Sequence, residues 1–86
     1  MNLKKMLQYR VESHCEDFVK HYNKGHKYFY ERPYIEGLIN VNLKLLGIQY
    51  NAVEYLNDKY NLELNNIQKD RDDWFKSKDI ITGSIE

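Results

Sequence analysis

Three side chains with metal-binding chemistry, His14, Asp17 and His21, recur at i, i+3 and i+7 of the sequence. On a helix that spacing lets them share a face, and imidazole with carboxylate is a donor set for zinc or iron. A helical site of this kind usually draws matching ligands from a second helix. The chain offers only one further histidine, His26, and one cysteine, Cys15. His14 and His21 also fall at the edge of an apolar stripe, where an imidazole half-buries and hydrogen-bonds. That is the expectation here, with no metal and no cofactor.

Nucleophilic chemistry fares no better. Cys15 directly follows His14, and adjacent residues on a helix do not face each other. A working nucleophile and base must meet at hydrogen-bond distance. Cys15 lies within the apolar stripe, so a buried structural thiol is expected. Asp70, Asp72 and Asp73 sit in the segment KDRDDW, with Lys69 and Arg71 among them. Acids in a first helical turn favour the helix dipole, so these read as a solvated helix start. The sequence carries no glycine-rich phosphate loop, no nucleophile elbow and no zinc-protease motif. It is therefore read as non-enzymatic, with no small-molecule substrate.

The elements that would position these residues follow from hydrophobic spacing. Leu3, Leu7, Val11, Cys15, Phe18 and Tyr22 recur at intervals of three and four, predicting a helix over Leu3 to Asn23. Asn23-Lys24-Gly25 is a stop signal. Residues 26–33, HKYFYERP, form a connector in which Pro33 biases Arg32 away from helical geometry. Tyr28, Phe29 and Tyr30 are apolar enough that at least one should pack on the helices. A second helix is predicted over Tyr34 to Leu46, where Tyr34, Ile35, Leu38, Ile39, Val41, Leu45 and Leu46 cover more than half the circumference. Such a helix is central in its fold or buried in an oligomer. A third is predicted over Gln49 to Tyr60, with Ala52, Val53, Leu56 and Tyr60 inward. Asn61 to Asn66 is polar and reads as a break, the competing reading being one long helix. A fourth runs from Asn66 to Lys78, capped by Asn65 or Asn66, with Ile67, Arg71, Trp74, Lys78 and Ile81 near heptad spacing and Phe75 beside them. The fold class is all-α, a small bundle of three to four short amphipathic helices. Residues 1–81 form one domain, and 82–86 a loose tail.

Eighty-six residues allow one domain. The hydrophobic fraction is 42% and the aromatic fraction 14%, sufficient for a packed core rather than a disordered chain. Thirteen basic residues balance thirteen acidic ones, which argues against a strongly electrostatic nucleic-acid binder. The first thirty residues are basic and residues 49–86 acidic, a split that suits self-association. One cysteine fits a reducing cytosol. The opening MNLKKMLQYR has no apolar stretch behind its lysines, and no run approaches a membrane span. A cytoplasmic protein is expected. Abundant Lys, Asn, Ile and Tyr with little Ala suggest, by association, a low-GC genome such as that of a phage or mobile element.

One local pattern carries a functional resemblance. Residues 43–63, LKLLGIQYNAVEYLNDKYNLE, resemble the helix-turn-helix of Fis-type and related bacterial regulators. The resemblance covers about 20 residues and implies a turn at Leu45-Leu46-Gly47-Ile48 and a recognition helix over Gln49 to Tyr60. Gln49, Tyr50, Asn51, Glu54 and Asn57 would face the major groove, the amides as adenine readers. The sequence departs from the pattern in its charges. The outward face carries Glu54 and Asp58, with Lys59 as its only cation, whereas phosphate neutralisation needs clustered Lys or Arg.

The reading that asks least of the sequence is a protein-binding or regulatory module. It would act as an inhibitor or adaptor of a larger protein, or through a homodimer. Tyr30, Tyr34, Tyr50 and Trp74 are the expected contact residues, being of the types that anchor interfaces. A helix-turn-helix DNA-binding regulator using Gln49, Tyr50, Asn51 and Asn57 is the alternative.

Overall fold

The protein is described by a computed structural model covering residues 2–83, with side chains through Ser77. Its described residues form four helices and no strand: α1 (Leu3–Asn23), α2 (Arg32–Leu45), α3 (Ala52–Tyr60) and α4 (Ile67–Gly83).

Most of the helix ends described fall where local chemistry satisfies the free backbone groups. The Asn2 side chain accepts from the Lys5 amide at 2.8 Å and caps α1. At the other end Gly25 takes φ +89°. Its amide donates to Tyr22 O while the His26 amide reaches back to His21 O. This is the paired closure that a left-handed glycine permits. α2 stops the same way: Gly47 has φ +77°, with Gly47 N to Lys44 O and Ile48 N to Leu43 O. α3 opens on a capping box, Asn51 and Glu54 each bonding the other's backbone amide. The Ala52 amide also donates to Asn40 Oδ1 at 2.6 Å, pinning the start of α3 to α2. Asn61 closes α3 in the left-handed region at φ 56°, and Asn66 caps α4 through the Lys69 amide.

Residues 61–66 are non-helical, so the long-helix reading is excluded. The segment is nevertheless held. The Asn57 side chain donates to Leu64 O at 2.9 Å and accepts from Leu64 N at 2.8 Å. Leu64 is thereby turned into the core. The Tyr22 hydroxyl accepts from the Glu63 amide.

α1 and α2 pack closely. Leu3 and Leu7 of α1 share a hollow with Leu45 and Leu46 of α2, and Arg32 lies over Phe18, so the two helices run antiparallel. Val11, Cys15 and Phe18 of α1 meet Ile39 and Leu43 of α2, Ala52 and Leu56 of α3, and Phe29 and Leu64 from the connectors. Phe18 and Phe29 meet edge to face at 5.1 Å between centroids. One of the three aromatics at 28–30 was expected to pack, and Phe29 does. Burying each large apolar side chain here contributes about 1.5–3 kcal/mol relative to leaving it exposed.

Five boundaries and one core position differ from expectation, two of the boundaries by a single residue: α2 stops at Leu45 rather than Leu46, and α4 starts at Ile67 rather than Asn66. α2 begins at Arg32 rather than Tyr34, because the interactions of the Arg32 side chain described below outweigh the bias against helix before proline. α3 begins at Ala52 rather than Gln49, because the capping box sets its start. α4 extends to Gly83, taking in the first two residues of the expected tail; residues 84–86, and the side chains of Lys78 and Ile81, lie outside the described residues. Leu3 was expected inward and is exposed.

Candidate functional site

Among the described residues, the strongly polar cluster of the interior is structural. Arg32 is 0% exposed and Asp70 3%. Arg32 Nη1 donates to Asp70 Oδ2 at 2.7 Å and to Lys27 O at 2.7 Å. Nη2 donates to Asn65 O at 2.7 Å, and Nε to Glu36 Oε2 at 2.6 Å. Asp70 in turn accepts from the amide and the side chain of Asn65. The guanidinium carbon lies 5.6 Å from the centre of the Phe18 ring. Every buried side-chain polar atom among the described residues has a partner. Such a network ties α2, α4 and both flanking connectors together. Asp70 had been read as part of a solvated helix start. Its true role rests on a contact 38 residues away, which local sequence does not signal. Asp72 and Asp73 do stay at the surface, beside Gln68 and Lys69.

His14, Asp17 and His21 do not assemble. His14 is half-buried and Asp17 exposed, and His21 stacks flat on Phe29 at 4.1 Å. No group of three potential ligands that could hold a metal occurs among the described residues. Cys15 is fully buried. Burial pushes its thiol up to about 12, the Tyr60 hydrogen bond pulling partly the other way and Glu12 and Glu16 adding to the rise. A thiol so placed is a poor nucleophile.

The face that stands out is the outer side of α2. Tyr30, just before the helix, is 89% exposed, Tyr34 63%, Val41 57% and Leu45 66%. Leu38 between them is half-buried. At 3.6 residues per turn, Tyr34, Leu38, Val41 and Leu45 fall within about 60° of one another, about 150° round from Ile39 and Leu43 in the core. α2 thus carries two apolar stripes, one buried and one facing solvent. Leu3 of α1, also exposed, extends the outer stripe beyond Leu45 through their shared hollow of about 310 Å³.

Of the expected contact residues, Tyr34 lies on this stripe, and Tyr30 is exposed in the turn that precedes α2. Trp74 is half-buried and borders, with Tyr30, His26, Tyr28 and Phe75, a hollow of about 320 Å³. Its ring lies 5.2 Å from that of His26. Tyr50 is exposed but stands apart, lining a separate hollow of about 490 Å³ with Asn40, Lys44 and Ile48. Sequence reasoning missed Val41 and Leu45 as surface residues. The signal available was the excess apolar circumference of α2, more than one core-facing stripe requires.

The residues of the DNA-reading alternative are differently placed. Gln49 and Tyr50 precede α3 in an extended connector. Asn51 is occupied as the cap, Glu54 closes its box, and Asn57 holds the backbone of Leu64.

No helix among the described residues is long and apolar enough to cross a membrane. No family model, no curated protein and no solved structure matches the chain.

Proposed function

We propose that the chain is a small, non-enzymatic, helical protein-binding or regulatory module that docks on its partner through the outer face of α2. The observation that carries this is the stripe Tyr34, Leu38, Val41 and Leu45 on one side of the helix, exposed at Tyr34, Val41 and Leu45. Scattered apolar residues on a surface need no explanation, but a contiguous row along a well-packed helix marks an interaction site. Helical faces of this kind seat in a groove or against another helix through anchors at i, i+4, i+7 and i+11.

The internal chemistry supports the same reading. The buried polar groups are engaged in holding the fold, and the thiol is held protonated. A groove-reading α3 has less support, because Asn51 and Asn57 are engaged within the chain and Lys59 is the helix's only cation.

The test is capture from a nuclease-treated bacterial lysate on wild-type and Val41→Glu baits. The expected result is a protein, the chain itself included, held by wild type and lost by the variant. Identical partners on both baits would overturn the proposal. So would recovery, before nuclease treatment, of nucleic acid whose associated proteins leave on digestion.

A further inference from the structure

Resting on the docking role of α2 proposed above, we infer that the occupant of its outer face is a second copy of the chain, with the two α2 helices packed antiparallel about a two-fold axis. The spacing of the stripe carries the argument. Tyr34, Leu38, Val41 and Leu45 are separated by four, three and four residues, the repeat of a helix-pair seam. That spacing reads the same in both directions. A two-fold axis between Leu38 and Val41 therefore sets Tyr34 of each copy against Leu45 of the other, and Leu38 against Val41. Every knob meets an apolar partner in an isologous contact.

Charge at the two ends favours the same arrangement. The Leu45 end is basic: Lys4 lines the hollow that Leu45 shares with Leu3, and Lys44 is exposed about 100° round the helix from Leu45. The Tyr34 end carries exposed Glu31 one turn before it. Arg71 lies against Pro33, about 100° round the helix from Tyr34. Antiparallel pairing brings the basic end of one copy to Glu31 of the other and also opposes the helix dipoles. Parallel pairing would set Lys4 and Lys44 against their own copies.

Gly37 adds an independent observation. It lies inside α2, where glycine costs about 1 kcal/mol relative to alanine. A Cβ built there meets nothing within 4 Å, so no contact within the chain requires its smallness. It borders the stripe between Tyr34 and Val41, where a close approach of a second helix would use the missing side chain.

The experiment is sedimentation of the full-length chain, joined to disulfide mapping. Wild type is expected to dimerise, and Val41→Glu and Tyr34→Asp to be monomeric with unchanged helix content, since both sites are exposed. Burying an unpaired charge at the seam should weaken association at least about tenfold. On mixing, Tyr34→Cys and Leu45→Cys chains should form the mixed disulfide in preference to Tyr34→Cys with itself, while native Cys15 stays buried. A chain still monomeric at about 1 mM, a weak limit for specific association, overturns the second-copy inference and leaves the docking role to the capture test. A dimer indifferent to both charge variants overturns the second copy and the docking face together. Predominant Tyr34→Cys self-linkage overturns the antiparallel arrangement.

Discussion

Arg32 and Asp70, 38 residues apart in sequence, meet at 2.7 Å with both side chains buried. Arg32 starts α2 and Asp70 lies in the first turn of α4. Further along α4, Trp74 lies 5.2 Å from His26 and Phe75 6.3 Å from Tyr28 between ring centroids. Taking two charges out of water is expensive, and their attraction offsets the expense only when every remaining donor and acceptor is satisfied. Here the main chain of Lys27 and Asn65 and the carboxylate of Glu36 complete the guanidinium.

Removing one partner should therefore cost more than removing both. Arg32→Ala is expected to destabilise the fold by about 3–5 kcal/mol, because it leaves the buried Asp70 carboxylate without a counter-ion, and Asp70→Ala to cost less, because Arg32 keeps its ion pair with Glu36. The double variant Arg32→Met with Asp70→Leu should lose clearly less than the sum of the single changes. Urea unfolding of the four proteins gives the coupling directly. Additive losses would mean that the pair is not the joint between α2 and α4.

The start of α3 gives a smaller, local prediction. Asn51 caps through the Glu54 amide at 2.9 Å, so Asn51→Ala should cost about 1 kcal/mol. Asn51→Ser should restore most of it, since a serine hydroxyl accepts the same bond. Thermal unfolding of the three proteins settles whether the side chain acts as a cap.

The Cys15 thiol ties stability to alkaline pH. Its ordinary value of 9.0 is raised to about 12 in the folded chain, chiefly by burial. Above about pH 9 the unfolded chain has therefore shed a proton that the folded chain still holds, and stability falls as pH rises toward 12. Below pH 9 this contribution is fully present. Tyr60, raised from 10.0 to about 12 mainly by burial, steepens the loss above pH 10. Cys15→Ala should abolish the decline that begins near pH 9 and leave a shallower one, due to Tyr60, above about pH 10. Equal slopes for wild type and variant would show that the buried thiol is not the source.

How much of this was legible in the sequence depends on the range of the interaction concerned. The bounds of α1, the glycine stops and the break after Tyr60 are short-range matters of spacing, caps and backbone freedom, and they read correctly. The start of α3 was also local: Asn51 with Glu54 three residues on is a capping-box signature, which the helix-turn-helix resemblance obscured. Arg32 was placed outside its helix by a rule about the residue before proline, and only its distant partners in the fold explain the exception. The surface role of Val41 and Leu45 was half visible. Spacing showed that α2 has too much apolar surface for one contact, but only the fold decides which stripe faces inward.

That division of α2 yields the last prediction. Ile39 and Leu43 are fully buried, whereas Tyr34, Val41 and Leu45 are exposed, although all five lie within twelve residues of one helix. Leu43→Ala should cost about 2–5 kcal/mol, because it removes transfer energy and leaves a cavity in the core. Val41→Ala, measured on dilute protein, should shift stability by no more than about 0.5 kcal/mol. At high protein concentration the two variants should diverge in a second way. Association stabilises whatever state it selects, so wild-type thermal stability should rise with concentration and that of Val41→Ala should rise less. The concentration dependence of Leu43→Ala should match wild type once its lower baseline is subtracted. If Val41→Ala destabilises as strongly as Leu43→Ala in dilute solution, the outer stripe is part of the core, and the assignment of a docking face to it fails.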